Sequence, residues 1–196
     1  MTLRLDLLRH GETERGGGFR GRIDDELTAI GLEQMRAALG DGCPWQALVS
    51  SPLRRCAAFA GEVAQRHGLP LSLEADLREL DFGDWEGRSA AELMESDADA
   101  LGRFWSDPYA FPAPGGEPLA DFEARVFAAL DRLYRAHAGR HVLAVTHGGV
   151  MRLLGAVARG LPRQRLLEVA VGHGELLALC IEPAADAWRL SEVAAR

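Results

Sequence analysis

Cysteine is scarce in this chain of 196 residues. Its three cysteines, Cys43, Cys56 and Cys180, stand far apart and form no Cys-x-x-Cys pair. This spacing argues against a zinc site and against a disulfide framework, and it fits a reducing compartment. We therefore predict no bound metal, and we expect Cys56 to pack as a small apolar side chain.

Long apolar runs and excess positive charge are also missing. No stretch approaches the roughly 20 apolar residues of a membrane span, and the first residues lack the features of a signal peptide. The net charge of −7 disfavours nucleic acid and membrane surfaces as partners, although a local arginine cluster can still bind a small anion. The sequence predicts a soluble, cytoplasmic protein and leaves a homodimer open.

The hydrophobic content, 47% of the residues, is sufficient for one sizeable core, so we predict a single domain over residues 1–196. Apolar runs of strand length alternate with helical segments, which is typical of a three-layer α/β/α sandwich with a mostly parallel sheet. The predicted strands are 3–8, 47–49, 71–73, 141–145, 169–171, 176–181 and 188–193, the last two forming a hairpin around 183–186. The predicted helices are 28–39 with Thr28 as N-cap, 53–67, 89–107 in one or two pieces, 121–138, and one that follows Gly149 and ends near Ala158.

Two segments are too rich in glycine or proline for regular structure. Residues 14–22 contain four glycines and three arginines, and residues 108–118 contain four prolines. We expect these loops to form opposite walls of a substrate entrance. Four aromatic residues lie in or next to the second loop, and aromatic side chains are more often part of the core. Whether one of them lines the entrance is left open. They are Phe104, Trp105, Tyr109 and Phe111.

Charged and imidazole side chains follow three of the predicted strands. Arg9 and His10 follow the first strand, Arg54 and Arg55 follow the second, and His147 follows the strand at 141–145. In an open α/β sheet, ligands bind outside the carboxyl ends of the strands. We therefore expect these side chains to meet in one site.

These residue types suit phosphoryl transfer to a histidine. A neutral imidazole can attack phosphorus while arginines and a second histidine hold the phosphoryl oxygens. A carboxylic acid from the acidic segment 76–86 can then protonate the leaving alcohol. This chemistry requires no metal.

Four motifs in series carry a family resemblance. Together they resemble the histidine phosphatase superfamily, which has the phosphoglycerate-mutase-like fold. The motifs are Arg9-His10-Gly11-Glu12-Thr13, Ser51-Pro52-Leu53-Arg54-Arg55, Leu77-Arg78-Glu79 with Gly83-Asp84-Trp85-Glu86-Gly87, and Thr146-His147-Gly148-Gly149.

The resemblance implies a role for each of five residues. His10 is the nucleophile that becomes phosphohistidine, Arg9 and Arg55 clamp the phosphoryl group, His147 stabilises it, and Glu79 donates the proton. It also implies a phosphoric monoester hydrolase that acts on a small phosphate ester and needs no cofactor.

Two of these assignments require a choice between neighbours. The resemblance favours Arg55 over Arg54 because Cys56 occupies the position of a small helix residue, and we expect Arg54 to be exposed or structural. Among the carboxylates, Glu79 matches the motif, and Asp81 is the next candidate for the acid.

One position departs from the family pattern. Gly16 stands where the family commonly has an asparagine six residues after the nucleophile. Arg15, Arg20 or Arg22 could compensate, and we assign Arg20 and Arg22 to substrate binding. His173, between two glycines, is expected to lie in a turn, and its contact with the site is left open.

The loops resemble those of bacterial alpha-ribazole phosphatases, which act late in cobalamin assembly. The segments that carry this resemblance are 16–28, 81–94, 104–118 and 171–176. The resemblance implies hydrolysis of alpha-ribazole 5'-phosphate. The alternatives are a broad-specificity histidine phosphatase, a phosphoglycerate mutase, and a phosphate-binding module without turnover.

Overall fold

The computed structural model describes residues 1–184 and 187–194. The strands in this part of the chain are β1 (Leu3–Arg9), β2 (Ala47–Ser50), β3 (Leu71–Leu73), β4 (His141–Thr146), β5 (Leu176–Ala184) and β6 (Ala187–Glu192). The α-helices are α1 (Ala29–Leu39), α2 (Arg54–His67), α3 (Ala90–Ser96), α4 (Ala98–Ser106), α5 (Leu119–His137) and α6 (Gly148–Ala158). Short 3₁₀ turns occur at Ala75–Leu77, Gly83–Trp85 and Arg163–Glu168.

The strands form one sheet in the order β3-β2-β4-β1-β5-β6. β1 pairs in parallel with β4, with Leu5 opposite Val142, and β2 pairs in parallel with both β3 and β4. β5 runs antiparallel to β1, with Leu179 opposite Leu5, and β6 runs antiparallel to β5. The predicted α/β fold with a mostly parallel sheet is confirmed, and the antiparallel strands lie at one edge.

Apolar side chains on both faces of the sheet create the three layers. Leu3, Leu5 and Leu7 of β1 are fully buried in the cluster that contains α5 and α6. Leu8 is buried in a second cluster, which contains Met35 of α1 and the apolar face of α2. Because both faces of the central strands are covered, β1 and β4 appear in the sequence as near-continuous apolar runs.

Capping interactions set several helix boundaries. The Thr28 hydroxyl accepts a hydrogen bond from the backbone N–H of Gly31, as predicted for an N-cap. Asp97 separates α3 from α4, so the predicted helical segment 89–107 consists of two helices. Helix α5 begins two residues before its predicted start, directly after Pro118, because proline is compatible with a helix N-terminus.

The strand predicted at 169–171 is wrong. Val169 and Val171 are buried, but this stretch pairs with no strand. Val169 packs close to Gly155 of α6, and the Val171 carbonyl accepts a hydrogen bond from the Arg9 guanidinium. The segment 169–171 is therefore apolar because it packs against α6, although its sequence resembles that of a buried strand. The predicted hairpin of β5 and β6 is confirmed, while residues 185–186 of its predicted turn lie outside the described residues.

Candidate active site

A cavity of about 660 Å³ lies beside the carboxyl ends of β1 and β4. Arg9 and His10 line it where β1 ends, and Gly149 lines it at the start of α6. Glu79 and the glycines of the loop 16–18 complete the polar end. The structure therefore places four of the predicted site residues, Arg9, His10, Arg20 and Glu79, around one cavity.

His10 is held in one tautomer. Its Nδ1 lies 2.8 Å from the Gly11 carbonyl oxygen, and because a carbonyl only accepts hydrogen bonds, Nδ1 carries the proton. The lone pair is therefore on Nε2. Burial, together with the charge of Arg55, lowers the pKa of His10 well below its ordinary value. A neutral imidazole with a free Nε2 is the form that can act as a nucleophile.

Close backbone packing fixes the turn that follows His10. A Cβ atom on Gly11 would lie 2.0 Å from the carbonyl oxygen of Gly31 in α1, so only glycine allows this approach. The backbone N–H of His10 donates to the Thr146 carbonyl at 3.0 Å. The imidazole is thus held between the end of β4 and the start of α1.

Arg9 lines the cavity next to His10. Its Nη1 donates to the Val171 carbonyl at 2.7 Å. Its Nε is buried and has no hydrogen-bond partner within residues 1–184 and 187–194. The guanidinium is therefore anchored at one nitrogen and retains a donor, which suits the predicted contact with a phosphoryl oxygen.

His147 lies behind His10 and is fully buried, so it does not line the cavity. The Arg55 Nε donates to its Nδ1 at 3.3 Å, which leaves the proton on Nε2. That nitrogen lies 2.8 Å from the Ser51 hydroxyl. The rings of His147 and His10 are 5.3 Å apart, and burial lowers the pKa of His147 well below its ordinary value.

Arg55 is also fully buried and does not line the cavity. Besides His147, its guanidinium donates to the carbonyls of Ile23 at 2.5 Å and Gly21 at 3.0 Å, and it lies 3.6 Å from Asp25. The structure therefore uses Arg55 to fix the loop 20–25 beside His147. These donors are directed at protein atoms, and the phosphoryl contact of Arg55 stays a prediction.

Glu79 lines the cavity at the N-terminus of α6. Its two carboxylate oxygens accept from the Gly149 backbone N–H at 3.1 and 3.0 Å. The Glu79 backbone carbonyl accepts from Arg125, which fixes this segment against α5. Glu86, another carboxylate of the acidic segment, instead accepts from backbone N–H groups, including that of Gly21 at 2.8 Å.

Of the three arginines in the loop 14–22, one lines the cavity. Arg20 lines the cavity, but its terminal nitrogens donate to Thr13 at 2.8 Å, to Asp25 at 3.1 Å and to a backbone carbonyl. Arg22 is exposed and lies 3.8 Å from Asp81, outside the cavity lining. In this structure the Arg22 side chain extends toward Asp81, and its role in substrate binding stays a prediction. Arg15 is exposed and also lies outside the lining.

Two residues that the sequence did not assign to the site also line the cavity. The ring of His173 lies 5.7 Å from that of His10. Arg152, in the second turn of α6, lies near Arg9 and forms no ion pair among the described residues. Its spacing of five residues from His147 does not put the two side chains on one helix face, so the sequence pattern carried no signal for it.

The other end of the cavity is aromatic. Phe19 and Phe82 pack with ring centroids 5.0 Å apart, and Trp105 and Pro108 line the same space. Residues 16–20 of the predicted loop 14–22 line the cavity, whereas Pro108 is the one residue of the predicted loop 108–118 in the lining. The role of the remainder of that loop at the entrance stays a prediction. Tyr109 lies outside the lining, where its hydroxyl contacts Glu123. Of the four aromatic residues considered, Phe104 and Trp105 line the cavity.

Across residues 1–184 and 187–194, no set of three or more His, Cys, Asp or Glu side chains is arranged to hold a metal ion. None of the helices in that part of the chain has the length and apolar character that crossing a membrane requires.

Comparison with known proteins gives a family match over nearly the whole chain. The family model described as the histidine phosphatase superfamily, branch 1, matches residues 5–195. This match includes the strand that precedes His10 and the segment that carries His147.

Named relatives have different substrates. The chain is 33% identical over 177 residues to an adenosylcobalamin/alpha-ribazole phosphatase from Escherichia coli, covering 88% of this chain and 87% of the relative. It is 37% identical over 172 residues to a glucosyl-3-phosphoglycerate phosphatase from Mycolicibacterium vanbaalenii, covering 81% and 75%. The solved structure of a mycobacterial glucosyl-3-phosphoglycerate phosphatase superposes with a TM-score of 0.84 at 29% identity, covering 98% and 97% of the two chains.

Proposed function

Because the chain belongs to the histidine phosphatase superfamily and is a phosphoric monoester hydrolase, we propose that it works through a phosphohistidine on His10, without a metal ion, and that its substrate is alpha-ribazole 5'-phosphate. The observation that carries the mechanism is the tautomer of His10. Its Nδ1 is committed to the Gly11 carbonyl, so Nε2 is the nucleophilic nitrogen in a cavity shared with Glu79.

In the first step, the lone pair of His10 Nε2 forms a bond to phosphorus. The bond between phosphorus and the ester oxygen breaks, and its electron pair stays on that oxygen. Glu79, as a carboxylic acid, gives its proton to the leaving alcohol. Arg9 holds the phosphoryl oxygens, since its guanidinium lines the cavity beside His10.

In the second step, a water molecule attacks the phosphohistidine. The Glu79 carboxylate accepts the water proton as the new phosphorus–oxygen bond forms and the bond to Nε2 breaks. Inorganic phosphate leaves, and His10 returns to its neutral form. Glu79 thus acts first as an acid and then as a base, and the cycle consumes one water.

The surroundings of His10 favour its neutral form. Burial and the nearby Arg55 guanidinium both lower the pKa of His10. The imidazole therefore resists protonation at a pH where an exposed histidine would already be half charged. Burial and the charge of Arg55 lower the pKa of His147 in the same way, so a second neutral imidazole packs behind His10.

The aromatic end of the cavity supports the choice of substrate. Alpha-ribazole is a nucleoside with an aromatic base, and a volume of about 660 Å³ is in the range of small-molecule sites. Phe19, Phe82 and Trp105 offer ring faces and edges against which a planar base can pack. The relative from Escherichia coli is named as an adenosylcobalamin/alpha-ribazole phosphatase.

A second candidate substrate has an acidic alcohol half. Arg152 lines the cavity without an ion-pair partner among the described residues, so it could pair with a carboxylate of the substrate. A glycerate group would supply that carboxylate, as in the substrate named for the mycobacterial relatives.

A panel of phosphate esters in excess chelator tests the proposal. We expect kcat/KM for alpha-ribazole 5'-phosphate to exceed the values for 3-phosphoglycerate and glucosyl-3-phosphoglycerate by about 100-fold, because only the aromatic ester uses the remote binding energy of the cavity. The Arg152→Ala variant is the matched control. It should lower kcat/KM for the two acidic esters far more than for the aromatic one.

Three outcomes would contradict parts of this proposal. A flat profile across the esters would indicate a broad-specificity phosphatase. The highest kcat/KM on an ester of glycerate, lost in Arg152→Ala, would establish the second candidate. Turnover that requires added divalent metal would overturn the metal-independent mechanism.

The acid assignment of Glu79 can be tested through Gly149. A Cβ atom at this position would lie 2.1 Å from the Glu79 Oε1, so Gly149→Ala must displace the carboxylate. We expect turnover of alkyl phosphates to fall about 100-fold, which is typical for loss of a proton donor. Aryl phosphates with an acidic leaving group should lose much less, because their leaving oxygen needs no proton.

The matched control for this variant is Gly61→Ala, since a Cβ on Gly61 of α2 would meet no atom within 4 Å. Measuring kcat for an alkyl and an aryl ester with both variants gives the comparison. Equal losses on the two esters in Gly149→Ala would assign the acid role elsewhere, with Asp81 as the next candidate.

A further inference from the structure

We propose that His173 is a further substrate-binding residue, which donates a hydrogen bond to the phosphoryl group while that group is transferred to and from His10. This inference rests on the proposed function, because it places the phosphoryl group at His10. It assigns a role to a residue that the sequence placed in a turn, with its contact with the site left open.

The loop that carries His173 is anchored on both sides by Arg9. The Arg9 guanidinium donates to the Val171 carbonyl at 2.7 Å, and the Arg9 backbone N–H donates to the Glu175 carbonyl at 3.0 Å. Arg9 immediately precedes the nucleophile, so the position of the loop is tied to the end of β1. His173 is thus held at a defined place relative to His10.

A close contact with α1 fixes the loop from the other side. Gly174 has a φ of 67°, and a Cβ atom there would lie 2.8 Å from the carbonyl oxygen of Gln34. Only glycine combines this conformation with this approach. The backbone next to His173 is therefore packed, while the imidazole itself extends into the cavity.

The imidazole of His173 is placed to reach a phosphoryl oxygen. Its ring centroid lies 5.7 Å from that of His10, with the planes tilted by 42°. This separation leaves room for an oxygen of a phosphoryl group bound at His10 Nε2. Among the described residues, no group forms a hydrogen bond with the His173 ring, so its donor is available to a ligand.

The part of the loop 14–22 that lines the cavity offers no free side-chain donor of this kind. The glycines 16–18, which line the cavity, have no side chains that could bind phosphate. The terminal nitrogens of Arg20 are directed at Thr13, Asp25 and a backbone carbonyl. Together with Arg9, His173 therefore supplies the side-chain donors that the loop 14–22 lacks.

Three variants test the role of His173. We expect His173→Ala to lower kcat/KM for an aryl phosphate by about 10- to 100-fold, the range for losing one hydrogen bond to a charged group. Binding of orthovanadate, measured by calorimetry, should weaken by a similar factor. His173→Asn retains an N–H donor and should recover at least part of both. His67→Ala, at an exposed histidine of α2, is the control and should match the wild type.

The outcomes separate this inference from the proposed function. If the wild type does not hydrolyse the aryl ester, the proposed function fails whatever the variants do. If the wild type is active but His173→Ala has normal kcat/KM and vanadate binding, the role of His173 is overturned. Equal losses in His173→Ala and His173→Asn would also overturn it, because a donor would then not be what matters.

Discussion

Replacing His10 with alanine is expected to reduce hydrolysis of every phosphate ester by at least about 10⁴-fold, the scale seen when a covalent nucleophile is removed. His147 cannot replace His10 as the nucleophile. His147 is fully buried behind it, with Nδ1 facing Arg55 and Nε2 facing Ser51. The loss should be the same for aryl and alkyl esters, because both need the same attacking nitrogen.

The measurement combines turnover with chemical trapping. Wild-type protein mixed with substrate and quenched in alkali, where phosphohistidine persists, should carry a phosphate on His10 that acid removes, and His10→Ala should carry none. His67→Ala serves as the control for a general effect of removing a histidine. Near-normal turnover by His10→Ala would refute the covalent mechanism.

Replacing Arg55 with alanine is expected to destabilise the fold as well as remove activity. The variant leaves Asp25 buried with one cation fewer, and it removes the donors to the Ile23 and Gly21 carbonyls. Breaking a buried ion pair by removing one partner typically costs about 3–5 kcal/mol of folding free energy. His147 also loses the hydrogen bond that fixes its tautomer, so turnover should fall by at least about 100-fold.

Arg54→Ala is the matched control, because Arg54 is the adjacent residue but is exposed and pairs with Glu26 at the surface. Urea unfolding of both variants gives the stability change, and turnover of an aryl phosphate gives the activity. Arg55→Lys should recover little, since an ammonium cannot reproduce the fork of donors that a guanidinium supplies. Wild-type stability in Arg55→Ala, with loss confined to phosphate binding, would restore the role that the sequence suggested.

Local patterns in the sequence predicted most of the architecture. The apolar runs of β1 and β4 and the cap at Thr28 follow from short-range chemistry, and the structure has them. The segment 169–171 failed because an apolar run shows that a segment is buried but not what it is buried against. Val171 is covered without any ladder pairing, and its carbonyl bonds to a side chain.

The site was less accessible to sequence reasoning, because long side chains can point in several directions. The motifs placed Arg9, His10 and Glu79 at the cavity correctly. They could not show that the Arg55 guanidinium would turn toward Ile23 and Gly21. Such orientations depend on contacts between segments that are far apart in the chain.

His173 shows what the sequence had to leave open. Two flanking glycines favour a turn, and the structure does place the residue in a loop. What decides its relevance is the anchoring of that loop to Arg9, across more than 160 residues of sequence. No local pattern carries that information.

The central position of β1 has a consequence for how the protein is made. Its neighbours in the sheet are β4 and β5, so Leu5 pairs with Val142 and Leu179. During synthesis the strand that leads to His10 leaves the ribosome first, but both of its partners are made in the last third of the chain. Pairings this distant in sequence form late and slowly. A nascent chain that has not reached β5 therefore holds its nucleophile outside any site, so phosphatase chemistry begins only when the sheet closes around its oldest strand.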